Sequence, residues 1–441
     1  MKNSLFSSLI VASIVLGCAG GAQAQAYRFT TIAGWANKKP VLGATGDGTN
    51  NGARFFSPYY LALDPGQNLY VTDGEAIRKV SPIGTNWVVT TLAGQGVNHG
   101  SVDGTNSGAL FDFPQGIAVD QASNLYIADT YNDTIRQLMP VGTNWVSSTI
   151  AGMAGAAGNS NGASSGARFN NPYGIAVDLA GNLYVADTLN DTIREMSPAG
   201  TNWLVSTIAG VAGTPGSADG TNTAATFYAP VALAVDTNGN LYVADFMNDT
   251  IRKMTRAGTN WVVTTLAGSA GISGSADGTN TSAHFSQPSG IAVDAVDNLF
   301  VSDSGNNTIR RLKAVGTNWV VSTVAGLAGT MGSTDGAGTN ALFNVPAGIA
   351  VDPLGNLFVS DSANFTIRQG HIAALLQIAR VGSKVVVSWP LALAGYVCET
   401  SSTASGGAWS LDTNNLGFSG DYVVQTNNIA PGNAFFRLSK P

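Results

Sequence analysis

Apolar and polar residues alternate in short runs along most of the chain, and Gly, Asn, Pro or Asp residues separate the runs. Apolar residues recur at every second position in Gly116–Asp120 and again in Asn124–Asp129. This period of two, bounded by turn-forming residues, predicts β-strands. After further turns, Thr134–Met139 and Trp145–Ala151 predict a third and a fourth strand. The pattern therefore predicts a unit of four short antiparallel strands.

This unit recurs six times at nearly constant spacing. Each copy contains a segment like NLYIADTYNDTIR, which begins at Asn124 and ends at Arg136. The aspartates in the middle of this segment are Asp73, Asp129, Asp187, Asp245, Asp303 and Asp361. The interval between the first two aspartates is 56 residues and every later interval is 58, because the turn after Asp73 is two residues shorter. Six four-stranded units in tandem are typical of a β-propeller.

The two ends of the repeat array predict how the ring closes. Five copies carry the sequence GTNW before the fourth strand, at Gly84, Gly142, Gly200, Gly258 and Gly316. The sixth copy reads ALLQ from residue 374 instead, whereas Tyr27–Gly34 matches Trp87–Gly94 position for position. We therefore predict that the N-terminal strand completes the sixth blade and removes an open sheet edge. The predicted fold is all-β, a six-bladed β-propeller of four-stranded blades with a small C-terminal β-sandwich.

The repeated unit reads F-x-x-P-x-G-I-A-V-D, then G-N-L-Y-V-A-D-x-x-N-x-x-I-R, and it resembles the NHL repeat. The resemblance extends over about residues 27–370, and the glycine-rich loops between copies look like those of bacterial secreted NHL proteins. NHL propellers serve as protein- or RNA-binding platforms and sensor ectodomains, and one branch is a peptide-amidating lyase. The resemblance implies a propeller fold and leaves the function open.

The N-terminus has the features of an export signal. Lys2 precedes the apolar run Leu9–Leu16, and Ala22–Ala24 is a small-x-small cleavage site. We expect residues 1–24 to be a signal peptide and the protein to be periplasmic or extracellular. The alternative is lipid anchoring at Cys18, because Val15–Cys18 resembles a lipoprotein box. No apolar run is long enough to predict a transmembrane segment.

The repeat stops at His371, so we expect a propeller at residues 25–370 and a separate module at 371–441. The C-terminal stretch alternates in hydrophobicity, and it contains Trp389, Val397–Glu399 and a terminal FFRL strand. In these elements it resembles a small β-sandwich module of many secreted proteins from Verrucomicrobia-like bacteria. If residues 1–24 are removed, Cys398 is the one remaining thiol, and no internal disulfide is expected.

Charge limits the range of partners. Only 11% of the residues are charged and the formal net charge is −6. Nucleic-acid binding requires a basic face that neutralises phosphates, so we expect no nucleic-acid partner. We expect a monomer that binds a protein, peptide or glycan ligand.

The repeated polar residues are interpreted as part of the scaffold. An aspartate after the first strand, such as Asp120, an aspartate after the second, such as Asp129, and an arginine such as Arg136 occur in copy after copy. A catalytic or metal site needs one constellation rather than six, so we expect buried Asp–Arg pairs and turn hydrogen bonds. The D-G-T-N loops lack a full calcium-loop pattern, and the three histidines have no ligand spacing. We therefore assign no catalytic residues, no metal ligands and no cofactor; calcium is left open as a ligand that the sequence does not support.

Positions that differ between copies are better candidates for binding. The loops before the first strand and the turns after the second strand should lie on one face of the propeller, where aromatic residues favour ligand contact. The candidate ligand-binding residues are Tyr59, Tyr60, Gln115, Tyr131, Tyr173, Phe246 and Met247. The alternative for the aromatic residues is packing between neighbouring loops. The alternative function is a hydrolase or lyase that acts on a sugar lactone or peptide with a metal in the central channel, and a purely architectural role is a third.

Overall fold

The computed structural model describes two continuous stretches, residues 27–39 and 46–372, and a set of strands between residues 377 and 439. Those later segments are 377–381, 384–390, 397–401, 410–411, 416–419, 422–428 and 435–439. The predicted signal peptide and Cys18 lie outside the described residues. Tyr27–His371 forms one compact unit, and the strands after Ile372 belong to a second.

The first unit is a ring of six five-stranded antiparallel sheets, which we call blades 1 to 6. The N-terminal strand β1 is Tyr27–Gly34. Blade 1 has β2 to β6, at Gly48–Thr49, Pro58–Leu63, Leu69–Asp73, Ala76–Ile83 and Asn86–Gly94. Blade 2 has β7 to β11, at Gly104–Thr105, Pro114–Val119, Leu125–Asp129, Thr134–Val141 and Asn144–Gly152. Blade 3 has β12 to β16, at Gly162–Ala163, Pro172–Val177, Leu183–Asp187, Thr192–Ala199 and Asn202–Ala209.

The second half of the ring repeats this order. Blade 4 has β17 to β21, at Gly220–Thr221, Pro230–Val235, Leu241–Asp245, Thr250–Ala257 and Asn260–Ala267. Blade 5 has β22 to β26, at Gly278–Thr279, Pro288–Val293, Leu299–Asp303, Thr308–Val315 and Asn318–Ala325. Blade 6 has β1 together with β27 to β30, at Gly336–Ala337, Pro346–Val351, Leu357–Asp361 and Thr366–Ile372.

Short 3-10 helices follow two strands in most blades. After the two-residue strands they lie at Asn50–Gly52, Asn106–Gly108, Ser164–Gly166, Asn222–Ala224, Asn280–Ser282 and Gly338–Asn340. In blades 2 to 6 a second set follows the aspartate, at Thr130–Asn132, Thr188–Asn190, Phe246–Asn248, Ser304–Asn306 and Ser362–Asn364. Blade 1 has no such helix after Asp73, where its turn is shorter.

The four predicted strands are present in every blade, and the structure adds a fifth. In blade 2 the order from outside to inside is β7, β11, β10, β9 and β8, so the first long strand lines the centre of the ring. The added strand comes from the D-G-T-N loop, where Gly104 pairs with Ser147 and Thr105 with Val146. A two-residue strand shows no alternation, so the sequence pattern gave no signal for it.

The ring closes as predicted. Strand β1 lies between β27 and β30 in blade 6, and Phe29 pairs with Gly336. The ring of Phe29 packs edge-on against Phe343 at 5.0 Å, and Tyr27 packs against Phe300 of blade 5 at 5.8 Å. The side chains of Tyr27 and Phe29 are both buried. The start of the propeller is therefore part of the core of its last blade.

The predicted buried ion pair is present in every blade. In blade 2, Arg136 Nη1 donates to Asp129 Oδ2 at 2.7 Å, and both side chains are fully buried. Arg136 Nη2 donates to Asp103 Oδ1 in the D-G-T-N loop at 2.7 Å, and the guanidinium lies over the ring of Phe111 at 4.9 Å. In blade 3 the loop acceptor is the amide oxygen of Asn161. Each of these arginines thus connects the D-G-T-N loop or its equivalent, the aspartate at the end of the second long strand and the aromatic core of its blade.

The second unit contains two antiparallel sheets among its described strands. The first sheet has the order β31, β32, β36, β35, at Gln377–Val381, Lys384–Pro390, Tyr422–Asn428 and Leu416–Ser419. The second has the order β34, β33, β37, at Ser410–Leu411, Val397–Ser401 and Phe435–Ser439. Cys398 is buried. Among the helices of the described residues, none is long and apolar enough to cross a membrane.

Candidate functional site

The loops before the first long strand and the turns after the second lie on one face of the propeller, as predicted. In blade 2, the N–H of Tyr131 in the turn donates to the carbonyl of Asp112 in the preceding loop at 3.0 Å. The same bond joins Leu189 to Asn170 in blade 3 and Met247 to Tyr228 in blade 4. We call this surface the loop face. Its turns are fixed by hydrogen bonds that repeat from blade to blade.

Neighbouring blades are also connected on this face. The carboxylate of Asp133 accepts a hydrogen bond from the N–H of Asn171 in the next blade at 2.8 Å. Asp133 has a positive φ of 55°, which Asp and Asn tolerate better than most residues. Burial raises the pKa of Asp133, and the N–H of Asn171 partly offsets the rise. Between blades 1 and 2 the same connection is made by Glu75, which accepts from the N–H of Phe113 at 2.6 Å.

Four aromatic side chains from three blades meet on this face, and we call them the aromatic cluster: Tyr59, Phe113, Tyr131 and Tyr173. Phe113 and Tyr131 are stacked, with ring centroids 4.9 Å apart and planes inclined by 16°. Tyr59 lies 6.5 Å from Phe113. Tyr59 and Tyr131 are close enough to Tyr173 for their phenols to raise its pKa. The cluster therefore spans blades 1 to 3.

The half-buried phenols of Tyr59 and Tyr173 are neutral at physiological pH. Burial raises the pKa of Tyr173 to about 12, and the neighbouring phenols of Tyr59 and Tyr131 contribute to the rise. Burial also raises the pKa of Tyr59. These side chains offer aromatic faces and neutral hydroxyl groups, which suits contact and hydrogen bonding.

A row of large apolar side chains is exposed beside the cluster, and we call it the apolar crescent: Tyr131, Leu189, Tyr228 and Met247. Their exposed fractions are 53%, 55%, 45% and 47% in that order. Tyr131, Leu189 and Met247 occupy equivalent turn positions of blades 2, 3 and 4. The equivalent residues of blades 5 and 6 are Gly305 and Ala363, in turns with the same hydrogen bond. The turn therefore does not require a large side chain at this position.

The structure places two of the seven candidate residues away from the surface. Tyr60 is 9% exposed and Gln115 is 2% exposed. Tyr59, Tyr173 and Phe246 are half-buried and pack against the hydrophobic core. Tyr131 and Met247 are the candidates that reach solvent. We assign Tyr60 and Gln115 to the interior of the ring and not to ligand contact.

Tyr60 fills the centre of the ring. Its hydroxyl lies within hydrogen-bond distance of the carbonyl oxygens of Val231 in blade 4, at 3.0 Å, and of Ser289 in blade 5, at 2.6 Å. Blade 4 is opposite blade 1 in a ring of six, so the side chain crosses the axis. Four other blades have glycine at this position; a Cβ on Gly116 would lie 2.1 Å from the carbonyl oxygen of Tyr173. The Tyr60 side chain therefore occupies the central channel at the level of Val231 and Ser289.

The Tyr60→Phe variant tests this assignment. Loss of the hydroxyl removes the one buried O–H donor that these two carbonyl oxygens share, so we expect the free energy of unfolding to fall by about 1–2 kcal/mol. Urea denaturation measures it. The control is Tyr131→Phe, whose hydroxyl has no hydrogen-bond partner in the described part of the chain, with an expected change within about 0.5 kcal/mol. Equal effects of the two substitutions would contradict the placement of Tyr60.

The repeated polar residues make hydrogen bonds within their own blades. Within the residues that the structure describes, no group of three or more His, Cys, Asp or Glu side chains is placed to hold a metal ion. Asp120 is the anchor of a turn, since it accepts hydrogen bonds from Asn124 N–H at 2.8 Å and from the Asn124 side chain at 2.8 Å. Each repeated aspartate that we singled out is thus occupied by contacts within its own blade.

Sequence reasoning missed two residues of the loop face, Phe113 and Tyr228. Phe113 lies one residue and Tyr228 two residues before the proline that begins the first long strand, in a loop that we did not compare position by position. Phe113 has a positive φ of 50°, which turns its ring toward Tyr131. A comparison of all six loops would have shown aromatic residues at these positions.

Comparisons with known proteins agree with this architecture. The NHL repeat family matches residues 285–312 and 343–369. The human NHL repeat-containing protein 2 is 29% identical over 290 residues, which cover 58% of this chain and 38% of the human protein. Protein SUPPRESSOR OF QUENCHING 1, chloroplastic, from Arabidopsis thaliana is 29% identical over 290 residues, covering 60% of this chain and 26% of the plant protein. The chain thus spans well under half the length of these relatives.

Solved structures share the fold at low identity. A protein of unknown function from Bacteroides thetaiotaomicron superposes with a TM-score of 0.58 at 21% identity, covering 78% of this chain and 75% of that one. An auxiliary nutrient binding protein from Bacteroides ovatus superposes with a TM-score of 0.57 at 17% identity, covering 78% and 76%. At these identities the likeness concerns the fold alone. The chain therefore contains NHL repeats, matched at residues 285–312 and 343–369, and folds as a six-bladed β-propeller.

Proposed function

We propose that this protein is a binding platform that captures a protein or peptide ligand on the loop face, through the apolar crescent. The observation that carries the proposal is the contrast between equivalent turns. Three blades place Tyr131, Leu189 or Met247 where the same turn in blades 5 and 6 has Gly305 or Ala363. The turn itself does not require these large side chains, and ligand contact accounts for the exposed part of each.

The crescent has the properties of a contact surface. Its side chains are about half exposed and stand on turns that hydrogen bonds hold in place, so little conformational entropy is lost on binding. Aromatic and methionine side chains are enriched in the cores of protein interfaces. Leu189 and Met247 offer no strong hydrogen-bonding group, which favours apolar side chains of a protein over the hydroxyl groups of a glycan. Export, predicted from residues 1–24, and action as a monomer are part of the proposal.

A peptide selection tests the proposal. Dodecapeptides from a displayed library are selected on the immobilised full chain, and their affinities are measured by fluorescence anisotropy. The combined variant Tyr131→Ala, Leu189→Ala and Met247→Ala is expected to weaken binding at least about tenfold, since central apolar contacts contribute about 1 kcal/mol or more each. Its melting temperature should stay close to that of the wild type, because all three side chains are about half exposed.

The opposite face supplies a matched control. Leu179, Val296 and Leu354 lie in turns between the first and second long strands and are 73%, 75% and 67% exposed. The variant Leu179→Ala, Val296→Ala and Leu354→Ala removes a similar apolar area from that face. We expect it to bind the selected peptides like the wild type. If it loses affinity while the crescent variant does not, the ligand binds the other face and the proposal fails.

A further inference from the structure

On the loop face, the connection between blades 1 and 2, which we call the seam, differs in charge from the connections between the other blades. Glu75 lies in the shortened turn of blade 1, and its carboxylate connects the two blades through Phe113 N–H at 2.6 Å. Asp112, the residue before Phe113, is close enough for its charge to act on Glu75. Burial raises the pKa of Glu75, and Asp112 raises it further, while His99 acts in the opposite direction. Two acidic residues thus lie near each other on either side of Phe113 N–H.

Both acidic residues are connected to Tyr131, which carries the most exposed ring of the aromatic cluster: Asp112 through its backbone carbonyl, and Glu75 through Phe113. Tyr131 donates its N–H to the carbonyl of Asp112, and its ring is stacked on Phe113 on one side only. More than half of the side chain is exposed. An aromatic face carries negative potential that attracts an ammonium or guanidinium group. The seam therefore combines a free aromatic face with two carboxyl groups.

Among the described residues, no arginine acts on Glu75, whose charged neighbours are Asp112 and His99. Blades 1 and 3 have Arg54 and Arg168 two residues before the equivalents of Asp112, and Arg54 lies over the ring of Trp35 at 4.8 Å. The corresponding residue of blade 2 is Leu110, which leaves the seam without this cation.

We propose that Glu75, Asp112 and the exposed face of Tyr131 form a subsite for a lysine or arginine side chain of the captured peptide. This inference rests on the proposed function, since it names the chemistry of one group of that ligand. It predicts a partner segment in which a basic residue accompanies apolar ones. The basic residue fixes the register of the segment on blade 2, and the apolar residues extend over blades 3 and 4.

Binding of hexalysine to the full-length protein tests the subsite. Labelled hexalysine is titrated at low salt and at about 150 mM salt, where exposed charges more than about 8 Å apart are largely screened. We expect binding that weakens with salt and that Tyr131→Ala reduces about two- to fivefold. Asp112→Asn and Glu75→Gln should each weaken the binding of hexalysine and make it less dependent on salt. The glutamine keeps a side-chain oxygen that can accept from Phe113 N–H, so the connection between the blades is retained.

Asp297→Asn is the matched control, because Asp297 is an exposed acid in a blade 5 turn of the opposite face. It should leave the affinity for hexalysine unchanged, and hexaglutamate should not bind. The subsite is overturned if hexalysine does not bind at low salt, or if Asp297→Asn weakens binding as much as Asp112→Asn. If library peptides without basic residues still bind through the crescent, only the subsite fails. If no library peptide depends on the crescent, the proposed function fails.

Discussion

Replacing Arg136 by alanine is expected to lower the free energy of unfolding by about 3–5 kcal/mol, because it leaves a buried carboxyl group without its cation. Asp129 is fully buried and would keep only its bonds from Asp112 N–H at 2.8 Å and from the Asn132 side chain at 2.9 Å. The carbonyl groups of Leu110 and Val102 would also lose a donor. Urea denaturation of both proteins measures the difference.

The loss should depend on pH. Burial raises the pKa of Asp129 to about 6, although Arg136 opposes the rise, so removal of Arg136 raises it further. A carboxyl group whose pKa is higher in the folded protein favours folding at low pH, and this contribution is lost as the pH rises through the folded value. The deficit of the Arg136→Ala variant is therefore expected to be larger at pH 8 than at pH 5.

An exposed ion pair provides the comparison. Arg256 contacts Glu195 of the neighbouring blade at 3.0 Å, but its side chain is 53% exposed. We expect Arg256→Ala to lower the free energy of unfolding by less than about 1 kcal/mol. If Arg136→Ala is no more destabilising than Arg256→Ala, the buried pairs do not hold the blades as we describe.

Removing the N-terminal strand is the second change with a large expected effect. A chain that begins at residue 35 would lack Tyr27, Phe29 and Ile32, all of which are buried in blade 6. At about 1.5–3 kcal/mol for each large apolar side chain, the loss approaches the total stability of an ordinary domain. It also leaves β30 with an unpaired edge. We expect this chain to lose its cooperative thermal transition, as measured by circular dichroism.

Adding the missing strand as a separate peptide distinguishes the loss of ring closure from destabilisation caused by shortening the chain. A synthetic peptide of residues 25–38 should restore the transition, because its place between β27 and β30 would be open. A peptide of the same composition in scrambled order should not. A truncated chain that melts like the full-length protein without peptide would show that β1 does not close the ring.

Most of the fold could be predicted from the sequence because a propeller repeats its constraints. Asp129 and Arg136 recur in each copy, so one physical interpretation, a buried pair that fixes the blade, applies six times. The closing strand could be predicted because Tyr27–Gly34 matches a strand that the sixth copy lacks. The two-residue outer strands could not, since Gly104–Thr105 is defined by its partner in β11 and not by its own pattern.

The candidate site was less accessible to sequence reasoning because exposure depends on contacts between blades. Tyr60 and Tyr131 are both tyrosines at variable positions, yet one spans the centre of the ring and the other faces solvent. Replacement of Tyr59, Tyr173 and Phe246, which the sequence suggested as a test, would disturb half-buried packing along with any ligand contact. The structure moves the test to Tyr131, Leu189 and Met247, which can be removed with less effect on the core.

Photocrosslinking on the loop face tests the central claim most directly. The photoreactive residue p-benzoylphenylalanine is placed at position 189 in the crescent or at position 354 on the opposite face, both well exposed in the native protein. Each protein is irradiated with a selected peptide, and the products are identified by mass spectrometry. Our account predicts a crosslink from position 189 that excess unlabelled peptide suppresses, and none from position 354. A specific crosslink from position 354 with none from position 189 would contradict it.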